Sequence, residues 1–349
     1  MTDACDICQT LDPMMPMLEV GLVGVGPAWI HRCARCGFRQ VRPRLEPAAI
    51  EAIYGGDYFD PSVSSGFEEY ARQYQRYERE AYFLARRLRR RRPRGRLLEV
   101  GSALGFLLNA LARASAWQVE GVELSAFGAW YARDRFGLTV SHSTLEGARY
   151  PTEAFDFVIQ KDLLEHVTHP RRHLEETRRI MRPGARLWLV TPNGETNVRP
   201  LQSLAADLDD GAVPALDQGH LSFFSRGHLL RLAADVGFRC VRFRNIGIRR
   251  GMRALGYLPG RRGRPTAVSR RDLVAIRGPR APEASAPQPD VVDVHRAVAA
   301  RIDREIETRQ RRVRASIPYF YYRRSMKRLD ALPAAFTVGQ DFDVELEKV

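Results

Sequence analysis

Apolar and polar positions change rhythm several times along the chain. From residue 97 short apolar runs alternate with stretches of helical period. Leu97–Val100 is a run that ends in Gly101 and the turn Ser102-Ala103-Leu104-Gly105, and Phe106–Arg113 then recurs as an amphipathic helix. The alternation continues with strand-like Val119–Glu123, helical Ala126–Phe136, and strand-like Leu138–Ser141 and Ala154–Gln160. Helical Leu174–Met181, closed by Pro183-Gly184, leads to strand-like Arg186–Val190, helical Gly227–Val236 and strand-like Phe238–Ile246. Strands alternating with helices predict an α/β chain with a doubly wound, Rossmann-like parallel sheet and ligands at the strand C-termini.

The flanks read differently. Leu18–Ile30 mixes apolar stretches with glycines and predicts a short hairpin. Phe67–Arg92 is helical, with Tyr70, Tyr74, Tyr77 and Phe83-Leu84 at three-to-four spacing. That stripe is either core packing or a lid with tyrosine hydroxyls over a ligand. Val291–Ala315 is helical and charged, and Phe336–Val349 alternates as a strand does. These shifts divide the chain into residues 1–45, an aromatic helical lid or linker over 46–95, a nucleotide-binding core over 96–248, an Arg-rich, partly flexible stretch over 249–333, and a last strand over 334–349.

Composition narrows the partners. With 349 residues, 44% hydrophobic and 28% charged, the chain can bury a sizeable core, which excludes wholesale disorder. The formal charge of +14 comes from arginine clusters: eight between Arg86 and Arg96, and ten between Arg249 and Arg280 against the single Asp272. Such clusters are either solvated faces or surfaces for phosphorylated or lipid-linked substrates, or for RNA. No stretch is apolar for long enough to span a bilayer, and Met1–Cys5 lacks the basic start of a secretory signal. A cytoplasmic protein is expected.

In that compartment four cysteines in two close pairs read as metal ligands. Cys5-Asp6-Ile7-Cys8 and Cys33-Ala34-Arg35-Cys36 present the tetrahedral sulfur set that Zn2+ prefers, with Gly37 suited to the positive φ of such a knuckle. Four protein ligands leave no open position, so this zinc ribbon is structural. Cys240, in a strand-like stretch, is expected to be buried. The turn after Gly101 carries the second chemical signal. Glu99 lies just before it, and Glu123 ends the next strand, placed to take two ribose hydroxyls. A carboxylate beside the turn repels pyrophosphate and suits a cationic, phosphate-free ligand, which S-adenosylmethionine is.

Leu97–Gly105, Val119–Ser125, Phe155–Pro170 and Leu174–Asn193 together resemble the successive motifs of class I S-adenosylmethionine-dependent methyltransferases. The phrases FDFVIQKDLLEHVTHP, RRIMRPGARLWLVTPN and HLSFFSRGHLLRLAADVGF are similar to the bacterial branch that acts on small molecules, sugars and lipid-linked glycans. In that branch a CxxC…CxxC ribbon is followed by an aromatic turn like Tyr54-Gly55-Gly56-Asp57-Tyr58-Phe59. The resemblance covers about residues 1–248 and departs at Ala103, where the family usually has glycine.

The resemblance implies that Glu99 and the Gly101 backbone orient the methionine end, with Ser102, Ala103 and Gly105 beneath the ligand. Glu123 then holds the ribose, Leu124 packs on adenine, Thr144 and Leu145 flank the adenine edge, and the Gln160 carbonyl faces the methionine amine. It also implies that the last strand returns antiparallel to the core sheet, making residues 249–333 an insertion. The function expected is methyl transfer to a small-molecule, glycan or lipid-linked acceptor in bacterial polysaccharide or natural-product biosynthesis. The alternative is an RNA methyltransferase that grips RNA with ribbon and arginines, which the lack of any RNA-binding module disfavours.

Histidine titrates near neutrality and can take a proton from a hydroxyl nucleophile. His166, just after the Ala154–Gln160 run, and His220, opening the loop Leu221-Ser222-Phe223-Phe224, are the candidate bases. Each has a structural alternative, helix capping or packing for His166 and a loop-stabilising hydrogen bond for His220. His169 and His228 are expected to be solvated, and Asp162 either orients a reacting group or caps the next helix.

Overall fold

The computed structural model describes residues 4–22, 25–54, 66–216, 219–247, 251–252, 266–275, 291–314 and 340–349. Its elements run β1 (Met14–Leu22), β2 (Gly26–Cys33), β3 (Arg39–Arg42), α1 (Pro47–Tyr54), α2 (Gly66–Arg91), β4 (Arg96–Val100) and α3 (Phe106–Ala114). They continue with β5 (Gln118–Glu123), α4 (Ala126–Phe136), β6 (Thr139–His142), β7 (Phe155–Lys161), a single 3-10 turn (Leu164–His166), α5 (Pro170–Ile180) and β8 (Met181–Pro192). Then follow α6 (Gly194–Asp207), β9 (Ala212–Leu216), β10 (Ser222–Phe223), α7 (Arg226–Asp235), β11 (Phe238–Ile246), β12 (Ala267–Ser269), α8 (Arg270–Ala275), α9 (Val291–Arg314) and β13 (Asp341–Lys348). Residues 55–59 of the aromatic turn and most of the stretch from Arg249 to Arg280 lie outside the described residues. Among the described residues no helix is long and apolar enough to cross a membrane.

The chain forms two compact units, one of residues 54–159 and 279–326, the other of residues 1–53, 160–278 and 327–349. In the first, β4 pairs in parallel with β5, and β5 with β6, so that Leu97 faces Val119 and Glu123 faces His142. β7 flanks β4 on its other side. Leu97, Leu98, Val122, Phe155 and Val158 are buried, the continuous apolar runs expected of parallel strands covered on both faces. Two tyrosines of the α2 stripe resolve as core packing, Tyr74 and Tyr77 lying 5.1 Å and 6.3 Å from the Phe106 ring, whereas Phe83 is exposed.

α9 belongs to the same core. Its Val298, Ala299, Ile302 and Ile306 pack with Ala103, Leu104, Phe106, Phe127 and Tyr131. The Tyr131 hydroxyl donates to Asp303 at 2.7 Å, and the His295 ring sits 5.1 Å from Phe127. A buried tyrosine hydroxyl needs such a partner, because leaving it unmet costs about 1–3 kcal/mol.

The second unit carries a sheet in the order β10-β3-β2-β1-β9-β12. β1 and β2 form the expected hairpin, antiparallel from Met14↔Cys33 to Leu22↔Gly26. Strands far along the sequence extend it on both sides, and Val20, Leu22, Ile30 and Val41 share a core with Val198, Leu201, Leu216 and Phe223. The hairpin is thus part of a larger sheet. The unit's other strands run β11-β13-β8, with β13 antiparallel to both neighbours.

Three expectations need correction here. Pro183-Gly184 lies inside β8 instead of closing α5, and the ladder with β13 begins only at Arg186. Cys240 is exposed, at the point where β11 shifts register between Cys240 and Arg242. His169 and His228 are half-buried: His169 stands at the N-cap of α5, and the His228 imidazole closes a capping box with Ser225 at the start of α7.

Candidate functional site

The turn after β4 is held by backbone and by one carboxylate. Gly101 and Ser102 donate to the Val122 carbonyl at 2.8 Å and 3.2 Å, and Gly105 donates to the Ser102 carbonyl at 2.8 Å. Gly101, Ala103 and Gly105 have φ of 72°, 49° and 74°, so every second residue of the turn is left-handed. Glycine adopts this region freely, whereas alanine does so at a cost of about 1–2 kcal/mol. What holds Ala103 there is Glu123. One of its oxygens accepts from the Ala103 N–H at 2.7 Å and the other from the Ser125 N–H at 2.8 Å. Burial pushes the Glu123 carboxyl up and the two N–H donors oppose that shift.

Glu99, at 5% exposure, and Glu123, at 7%, are thus two buried acids on the ends of adjacent parallel strands. Leu145 is buried and Leu124 half-buried. Thr144 opens the loop after β6, its hydroxyl accepting from the Gly147 N–H at 3.0 Å. Two buried carboxylates thus stand beside a glycine-flanked turn, residues 101–105, that contains no lysine or arginine. The family's glycine at position 103 indicates a test: Ala103→Gly should raise stability by about 1 kcal/mol by relieving the left-handed alanine. A melting temperature that falls in this variant would show that the methyl group's packing outweighs the backbone strain.

In the second unit, Gln160 is fully buried and its side-chain amide donates to Thr177 Oγ1 at 2.7 Å. Directly after β7, the 3-10 turn presents Glu165 and His166. Glu165 is 1% exposed and accepts from Thr191 Oγ1 at 2.9 Å. His166 Nδ1 lies 3.2 Å from the Gly219 carbonyl, and the His166 and His220 rings are 4.8 Å apart, nearly perpendicular. His220 Nδ1 is 2.9 Å from the Asn197 amide nitrogen. Burial, with His166 as a second cause, holds the His220 imidazole well below its ordinary range, so it is neutral at pH 7. Burial first, then Asp162, pushes the Glu165 carboxyl well up. The two predicted histidines therefore meet, with Glu165, Thr191 and Asn197 around them. Asp162 sits exposed at φ 52°, with its N–H on the Val190 carbonyl.

The four cysteines converge as their spacing predicts. Cys5 and Cys36 sulfurs are 3.6 Å apart, Cys8 and Cys33 sulfurs 3.7 Å, and all four lie within 4.8 Å of one another. Tetrahedral Zn–S bonds of about 2.3 Å place sulfurs roughly 3.8 Å apart, so the set fits that ion. The two knuckles are built alike. Gln9 and Gly37 each have positive φ and donate to the carbonyls of Cys5 and Cys33 at 2.9 Å. Around them Arg171 donates to the Asp6 and Ile7 carbonyls, Arg44 pairs with buried Asp6 at 2.8 Å, and His228 Nε2 donates to the Cys36 carbonyl at 2.9 Å. Burial pushes the Cys5 thiol up to about 11.

The chain is similar to known methyltransferases. A family described as "Methyltransferase domain" matches residues 70–242. The ubiquinone biosynthesis O-methyltransferase of Parvibaculum lavamentivorans is 24% identical over 148 residues, 41% of this chain and 58% of that protein. The enzyme of the same name from Methylococcus capsulatus is 27% identical over 168 residues, 46% of this chain and 67% of its own length. Among solved structures, geranyl diphosphate C-methyltransferase from Streptomyces coelicolor is 14% identical with a TM-score of 0.40, covering 74% of this chain and 70% of that one. The first of these relatives is thus matched over little more than half its length. The matched residues, which run from α2 to β11 through the Gly101–Gly105 turn and Glu123, carry a methyltransferase domain, and together with the α/β fold they support an S-adenosylmethionine-dependent methyltransferase of class I.

Proposed function

We propose that the protein transfers the methyl group of S-adenosylmethionine to a small-molecule acceptor, a class that includes glycans and lipid-linked intermediates. The observation that carries this reading is the Glu123 carboxylate, which ties the Ala103 turn to the end of β5 where a ribose would be read. Glu99, Gly101, Ser102, Ala103, Gly105, Leu124, Thr144, Leu145 and the Gln160 carbonyl complete the cofactor set. The relatives are named O-methyltransferases, which favours oxygen as the accepting atom.

Methyl transfer is an in-line displacement, so the protein's work is to position its reactants and to activate the acceptor. The acceptor oxygen forms its bond to the methyl carbon as the carbon–sulfur bond breaks, and sulfur keeps the pair. The acceptor's proton is lost at the His166–His220 pair. The N-terminal cysteines hold one structural Zn2+, and such a reduced thiolate site suits the cytoplasm.

Calorimetry tests the cofactor assignment. S-adenosylmethionine and its demethylated product should bind and NAD should not. Tight NAD binding with no response to S-adenosylmethionine would overturn the reading.

A further inference from the structure

Outside the cysteine cluster, Glu165, His166 and His220 form a second set of ligating side chains whose coordinating atoms all lie within 4.8 Å of one another. Each is oriented from behind by a different element. Thr191 of β8 donates to Glu165 Oε2, while Oε1 is buried with no hydrogen-bond partner among the described residues. The Gly219 carbonyl can only accept, so His166 Nδ1 carries the ring proton and Nε2 is left as an acceptor nitrogen. That Nε2 is 3.8 Å from Glu165 Oε1, too long for a hydrogen bond. Two ligands of one ion at bonds of about 2.1 Å stand roughly 3–3.5 Å apart, so a small inward movement closes the pair on an ion. His220 Nδ1 faces the Asn197 amide. With the amide oxygen turned to the ring, Nδ1 donates and Nε2 becomes the ligand.

We propose that Glu165, His166 and His220 bind a divalent cation of the zinc, manganese or iron(II) class, in a site distinct from the four cysteines. The donor chemistry argues for it. Two imidazoles and one carboxylate, without sulfur, select borderline transition ions over calcium or magnesium, which prefer oxygen-only shells. Imidazoles whose second nitrogen is fixed by a carbonyl or an amide are the arrangement metal ligands use to set tautomer and aim. A buried carboxylate oxygen with no donor needs either a proton or a cation, and the ion supplies the latter.

Three protein ligands also leave at least one position open, unlike the closed cysteine site. The open position is where an acceptor's oxygen would bind; the ion would then stabilise the oxyanion, the proton would leave to solvent, and the two histidines would serve as ligands in place of bases. This last step rests on the reading of the cluster as the acceptor-activating site; metal binding itself does not.

Full-length protein with its cysteine zinc in place is titrated with Co2+ and followed by visible absorption and metal analysis. The expected result is a second equivalent per chain with weak ligand-field bands and no thiolate charge-transfer band. His166→Ala and His220→Ala should each weaken it at least about tenfold while keeping the cysteine zinc and the melting temperature. Glu165→Gln, which keeps the side chain's shape, should do the same. Saturation at one metal per chain, or a second equivalent that survives all three substitutions, overturns the site. Binding of S-adenosylmethionine, measured in parallel, separates the two readings. Cofactor binding without a second metal would remove the metal site and leave the methyltransferase, and the reverse result would do the opposite.

Discussion

Glu123→Ala should cost the protein most of its affinity for S-adenosylmethionine. Hydrogen bonds to a charged group are worth about 1.5–3 kcal/mol, so losing a ribose-binding carboxylate alone weakens binding by roughly 10- to 100-fold. A second effect adds to it. The same carboxylate accepts from the Ala103 and Ser125 N–H groups, and Ala103 has φ of 49°. Without that anchor the left-handed alanine relaxes and the turn loses its shape, so Glu123→Gln, which still accepts through its amide oxygen, should retain more affinity than alanine does. Calorimetry on the three proteins, with melting temperatures alongside, checks both parts. Equal affinities in all three would mean that another residue reads the ribose.

Removing the ribbon's metal should have the largest effect on stability. Zinc–cysteine sites contribute about 10–16 kcal/mol in isolated finger peptides at neutral pH. Here the loss should be smaller, several kcal/mol, because β1 to β3 also share an apolar core with Val198, Leu201, Leu216 and Phe223. Cys33→Ser, or wild type treated with a strong chelator, should melt earlier and expose its remaining thiols to a thiol reagent, with one zinc appearing in solution. Freshly purified, reduced protein that contains no zinc and melts at the same temperature with chelator would refute the ribbon. The reach of the damage is informative as well. Arg171 and His228 bond to the Asp6, Ile7 and Cys36 carbonyls, so α5 and α7 should loosen along with the knuckles, which hydrogen exchange would register.

The parts of this protein that were legible in the sequence are those whose signal is local. Two CxxC pairs carry their own geometry, and a glycine turn between an apolar run and a helix defines β4, α3 and the position of Glu123 without any tertiary information. Elements with disguised or absent local signal escaped. α6 contains Pro200 and β9 contains Pro214, which argue against helix and strand, while β10 and β12 have two and three residues. β9 and β10 form against the edges that β1 and β3 offer, and β12 pairs in turn with β9. Glu165 was likewise invisible as a site residue. Its neighbours in sequence read as an ordinary helix start, and its partners Thr191 and Leu221 come from 26 and 56 positions further on. The exposure of Cys240 has no local signal either, since an apolar run does not say which of its residues meet solvent.

The packing of α9 sets a limit on how this protein can be cut. The family match ends at residue 242, and a fragment designed to that boundary would look complete by its motifs. It would nonetheless strip Val298, Ala299, Ile302 and Ile306 from Phe127, Tyr131 and the Ala103-Leu104 turn, and leave the Tyr131 hydroxyl without Asp303. Bared aromatic surface of that kind drives self-association during expression. A minimal catalytic fragment therefore has to keep residues 291–314, and libraries that randomise or delete the basic segment should treat its helix as scaffold and confine variation to the sequence on either side.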